Sequence, residues 1–91
     1  MNKKIEVTAI QCDTVEQLQN VMLKLHSKKY KHPNGSTMLN NVWLADAEFK
    51  RGMRFINLYS DSDKVKFAAN DNGLNNGKNC QVVKSIEYLK K

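Results

Sequence analysis

The sequence predicts an α+β domain in which one amphipathic helix packs on a mainly antiparallel sheet of four to five strands. Three features predict it. Several short stretches alternate apolar and polar residues at the period of a half-buried strand, one stretch carries apolar residues at helical spacing, and clusters of Gly, Pro, Asn and Asp separate them. A lone amphipathic helix and one sheet must cover each other's apolar faces, which sets the layers. The 91 residues suit a single domain over 1–91, because a chain this short has room for one core.

The elements follow in order. Lys4 to Ile10 sets Ile5, Val7 and Ala9 against Glu6 and Thr8 and predicts the first strand. Asp13-Thr14-Val15-Glu16 has the spacing of a capping box, with Asp13 as N-cap. Val15, Leu18, Val21, Met22 and Leu25 then form one apolar stripe, and the helix is expected to end near Lys29 or Tyr30, where lysines complement the dipole. His32-Pro33-Asn34-Gly35 stops it. Thr37 to Phe49 is expected to be a strand broken near Asn40 and Asn41, with its core over 41–49.

Lys50-Arg51-Gly52 is then the turn of a hairpin whose second arm is Met53 to Ser60, rich in Phe55, Ile56, Leu58 and Tyr59. Asp61-Ser62-Asp63 is a further turn, and Val65, Phe67 and Ala69 alternate with Lys64, Lys66 and Ala68 in the next strand. Asn70 to Asn79 holds two turn pairs and predicts a polar loop. Gln81 to Lys91 fits either state: Val82, Val83, Ile86 and Leu89 suit a helix face, whereas Val82, Ile86 and Tyr88 suit a strand. Taking it as a strand, the order is β-α-β-β-β-β.

Charge is the strongest global feature. A formal net charge of +6 and a pI near 9.5 favour polyanionic partners, nucleic acid first and an acidic protein surface second. Cys12 and Cys80 lie in no C-x-x-C pair and are too sparse for a disulfide framework, so reduced thiols and a cytoplasmic location are expected. The longest apolar runs are far short of the roughly 20 residues that cross a bilayer, and Met1-Asn2-Lys3-Lys4 leads into alternation instead of the apolar core of a signal peptide.

Candidate binding residues come from two basic clusters. Lys24 through His32 gathers Lys24, Lys28, Lys29 and Lys31 with His26, Tyr30 and His32, and no acid occurs between Glu16 and Asp46. Lys24, Lys28 and Lys31 share one helical face by spacing, where each could neutralise a phosphate, while Tyr30 and His32 could stack on unpaired bases. Lys50, Arg51 and Arg54 form the second cluster, and Arg suits bidentate phosphate contact. Both clusters also have plain readings, as a solvated helix end with Tyr30 closing the core and as a charged turn guarding a strand edge.

Catalytic patterns are weaker. His26 and His32 lack a carboxylate near in sequence to orient either ring. Asp61, Asp63 and Asp71 lack the remaining ligands and the glycine of a calcium loop. Cys12 before the helix cap fits a small buried residue better than a nucleophile. No enzyme activity, cofactor or metal is therefore expected.

The short basic chain, its Lys and Asn bias and its β-α-β-β-β order resemble the small accessory proteins of T-even-type tailed bacteriophages. That resemblance spans the chain in style and supplies no site residue. It implies an RNA-binding inhibitor of a host toxin–antitoxin or defence protein, with Lys24 to His32 as the segment such a role would use. The expected partner is thus RNA or another polyanion, with a host protein as a second partner. The alternative is an interaction module that binds an acidic host protein, or pairs with a second copy as a homodimer through a strand edge.

Overall fold

A computed structural model describes residues 6–69 and 80–90 of the chain. Its sheet has four strands: β1 over Val7–Gln11, β2 over Phe55–Tyr59, β3 over Lys66–Ala68 and β4 over Cys80–Lys84. Their spatial order is β3-β2-β1-β4. Residues directly opposite each other share a face, and the register places Ile10 opposite Ile56, Ile56 opposite Phe67 and Ile10 opposite Val83. These four side chains make one apolar row that lies in, or packs against, the core beneath the helices. β1 and β2, and β2 and β3, are antiparallel, but β1 and β4 run parallel. The sheet is therefore mixed, and the expected order needs correction.

Helix α1 spans Val15–Ser27 and buries Leu18, Val21, Met22 and Leu25, the stripe expected from spacing. Its N-cap is Thr14, one residue later than the expected Asp13. Thr14 Oγ1 accepts from Gln17 N–H at 3.1 Å, and Gln17 Oε1 accepts from Asp13 N–H at 2.8 Å. Gln17 instead of Glu16 thus closes a reciprocal cap. The same Oε1 accepts from the hydroxyl of buried Ser85 at 2.8 Å, tying the helix start to the C-terminal segment.

The expected strand over Thr37 to Phe49 is a correction: a 3-10 helix runs over Leu39–Leu44 and helix α2 over Ala45–Lys50. Met38, Val42, Ala45 and Phe49 recur at helical spacing, and each is buried or packs on the core. The β-favouring residues Val42, Trp43 and Leu44 mask that stripe. The ambiguous last segment is both states in succession, β4 followed by helix α3 over Ser85–Leu89. The order among described residues is therefore β1-α1-(3-10)-α2-β2-β3-β4-α3, and α1 packs against α2, α3 and the 3-10 helix. The fold is α+β as expected, but with three α-helices among the described residues in place of one. The predicted loop over Asn70 to Asn79, and Lys4 and Ile5 of the predicted first strand, lie outside the described residues.

The end of α1 sets the direction of all that follows. Lys29 takes φ of 69°, Lys29 N–H donates to His26 O at 3.0 Å and Tyr30 N–H to Leu25 O at 3.0 Å. This is a Schellman ending with lysine where glycine is usual, and it turns Tyr30 onto the core. A side chain in this left-handed region is strained by about 1 kcal/mol. Lys29→Gly is expected to raise stability by about 0.5 kcal/mol after allowing for glycine's greater chain entropy. Urea denaturation checks this, and a lowered midpoint would contradict the left-handed cap.

Candidate nucleic-acid interface

Immediately after the Schellman turn the chain forms a one-residue ladder with a distant segment. Lys31 N–H donates to Asp63 O at 2.6 Å, and Val65 N–H donates to Lys31 O at 2.9 Å. This is a parallel bridge in which Lys31 is partnered with Lys64. Tyr30 packs against the core on one side of the bridge and Val65 is fully buried on the other. Alternation then sends Lys31, Lys64 and Lys66 outward, and all three are exposed.

Each basic residue singled out by sequence has a definite place. Lys24 is half-buried and its ammonium donates to Leu89 O at 3.4 Å. Lys28 is exposed with Nζ 5.1 Å from the centre of the Tyr88 ring, so both lysines lie towards α3. Lys31 does not continue their helical face, because α1 ends at Ser27. Lys29 is exposed. The His32 ring lies 5.5 Å from that of Phe67, and its Nδ1 accepts from Asn34 N–H at 3.3 Å.

The second cluster is neutralised within its own helix. Lys50 Nζ lies 3.0 Å from Asp46 and Arg51 is 2.9 Å from Glu48, the i,i+4 and i,i+3 pairs that helix α2 makes available. Arg54 turns inward: its guanidinium sits 3.6 Å over the Phe49 ring and donates to Phe49 O at 2.8 Å and Met53 O at 3.0 Å. That side chain closes the turn after α2. By contrast, Lys28, Lys29, Lys31, Lys64 and Lys66 have no carboxylate within 4.0 Å among the described residues. Lys31 and Lys64 join the two stretches into one surface rich in lysine, which also carries exposed Asp63 in the bridge itself and exposed Asp61 close by.

No family model, curated protein or solved structure matches the chain. The site is therefore defined by its geometry.

Lys64 and Lys66 were missed in the sequence because they read as the solvent face of a strand. Their only sequence signal is the alternation Lys64-Val65-Lys66; the partner of Lys64, 33 residues earlier, leaves no local trace. The groups considered for catalysis also have places. His26 is half-buried on α1, and neither imidazole pairs with a carboxylate among the described residues. Those residues bring no three His, Cys, Asp or Glu side chains together to hold a metal ion. Asp71 lies outside them. No described helix is long and apolar enough to cross a membrane.

Cys12 is fully buried beside the helix cap. Burial first, and then the carboxylate of Asp13, pushes its thiol up to about 12. A thiol so held remains protonated and is a poor nucleophile. Burial, with Tyr30 nearby, also raises the Tyr88 hydroxyl. Both groups hold their protons more tightly folded than unfolded. The stability this contributes is complete below their ordinary values and is lost as pH rises towards the folded ones. Between about pH 8.5 and 11, stability is expected to fall by about 3 kcal/mol through Cys12, and Cys12→Ala should flatten the profile. Denaturation midpoints measured across that range check this; an equally steep fall in the variant would contradict it.

Proposed function

We propose that this protein is a non-enzymatic RNA-binding module that holds a single strand by its phosphates along Lys28, Lys29, Lys31, Lys64 and Lys66. One observation carries the reading: these lysines come from two distant stretches, meet at the Lys31–Lys64 bridge and lack carboxylate partners among the described residues. A cluster of like charges left uncompensated favours an anionic ligand, and each lysine that neutralises a phosphate releases counterions. Lys24 extends the surface towards α3, and Tyr30 and His32 border it. Lys50, Arg51 and Arg54 contribute less, because their charges already have intramolecular partners. On the resemblance to small phage accessory proteins, the RNA-binding protein acts in the cytoplasm as an inhibitor of a host defence or toxin–antitoxin protein.

A second reading has its own support. Trp43 is 74% exposed and Leu39, four residues earlier in the 3-10 helix, is 53% exposed, and aromatic anchors of this kind favour a protein contact. A host protein that copurifies stoichiometrically after nuclease treatment, and is lost in Trp43→Ala, would support it.

The RNA reading is tested by fluorescence anisotropy with a labelled single-stranded RNA. Affinity should fall with salt at a log–log slope of about −3.5, the value for five phosphate contacts on a single strand. Lys31→Glu/Lys64→Glu should weaken binding about tenfold or more at moderate salt, and Lys50→Glu/Arg51→Glu several-fold less. Salt-independent binding, or equal losses in the two pairs, would contradict the assignment.

A further inference from the structure

We propose that the cavity beside the Lys31–Lys64 bridge is a subsite for one ribonucleotide of the bound strand, an inference that rests on the RNA-binding function proposed above. The cavity has a volume of about 480 Å³ and is walled by Pro33, Tyr59, Asp61, Ser62, Lys64 and Lys66. Fully buried Val65 also lines it. Sites for small molecules occupy about 300–1,000 Å³, so the space suits a single nucleotide.

A nucleotide has three chemically distinct parts, and the walls offer a counterpart to each. For the phosphate there are Lys64 and Lys66, both exposed and free of carboxylate partners among the described residues. Two residues apart, they leave the same side of the chain. For the base there is Tyr59, half-buried at the end of β2. Its neighbour on that face, Asn57, is opposite Lys66, and the Lys66 ammonium lies 5.3 Å from the Tyr59 ring centre. Aromatic surface and cation are therefore adjacent before any ligand arrives. A base stacked on the ring takes the place of the ammonium and frees it for the phosphate. Pro33 and Val65 extend the apolar lining.

The ribose finds a donor and an acceptor. Ser62 Oγ accepts from Lys64 N–H at 3.1 Å, which leaves its own O–H to donate. The exposed carboxylate of Asp61 can accept from sugar hydroxyls, and a 2′-hydroxyl supplies a donor that deoxyribose lacks.

The test uses the full chain, isotopically labelled for NMR and titrated with AMP, dAMP and inorganic phosphate in parallel. AMP should shift the amides of Tyr59, Ser62, Lys64, Val65 and Lys66, at lower concentration than dAMP or phosphate. Shifts elsewhere, none at millimolar AMP, equal shifts from phosphate alone, or stronger shifts from a polyglutamate peptide would each overturn the subsite. Tyr59→Leu, confirmed folded by its amide spectrum, should bind labelled single-stranded RNA about tenfold more weakly with an unchanged salt slope. Unchanged affinity in that variant would remove the subsite and leave RNA binding standing. Failure of the unsubstituted protein to bind RNA would remove the function itself. If Tyr59→Leu does not fold, the AMP titration decides alone.

Discussion

Two hydrogen bonds hold together everything the proposed function needs: Lys31 N–H to the Asp63 carbonyl and Val65 N–H to the Lys31 carbonyl. Without them Lys28, Lys29 and Lys31 are cations at a helix end, and Lys64 and Lys66 are cations just before and at the start of a short edge strand. With them the two groups form one surface. The bridge itself is only one residue long, so its strength must come from what flanks it. Tyr30 packs on the core immediately before it and Val65 is fully buried immediately after. Apolar burial of this kind stabilises by about 1.5–3 kcal/mol for a large side chain, more than the modest repulsion between exposed lysines in water. The protein can therefore hold like charges together with no ion pair among the described residues to compensate them, and binding an anion relieves the repulsion.

The contrast with helix α2 is informative because the chemistry is similar and the outcome opposite. Asp46 and Glu48 precede Lys50 and Arg51 along one short helix and its C-cap and neutralise them at i,i+4 and i,i+3. Arg54 is more deeply committed, with its guanidinium on the Phe49 ring and on two carbonyls. Charge density along a sequence thus says little until the partners are known. What separates the two basic clusters is that acids stand at ion-pairing distance on the helix of one, whereas Asp61 and Asp63 beside the other make no ion pair with its lysines among the described residues.

Much of the scaffold was legible. The first strand, helix α1 and the 64–69 alternation follow from periodicity, because each is long or regular enough for one apolar face to stand out, and β2 follows from its β-favouring composition. The 37–49 stretch was not, for a physical reason. Val42, Trp43 and Leu44 favour strands locally, while the Met38, Val42, Ala45, Phe49 stripe matters only once α1 supplies a surface to bury it. The last segment conflicted with itself because a five-residue strand abuts a five-residue helix, each too short for its period to dominate. Half of the candidate surface, Lys28 to Lys31, was visible as an acid-free run. The other half depended on a pairing across more than thirty residues, which no spacing rule encodes. The compensation of Lys50 and Arg51 would have been readable had α2 been recognised, since both acids sit at helical distance.

The bridge can be observed directly. Native-state hydrogen exchange followed by NMR should find the amides of Lys31 and Val65 protected to a degree approaching those of β1 and β2, because both are hydrogen-bonded across distant segments beside buried side chains. The amide of Lys64, bonded only to an exposed serine hydroxyl, should exchange far faster. If Lys31 and Val65 instead exchange as quickly as Lys64, the two basic stretches do not converge and the common anion-binding surface does not exist.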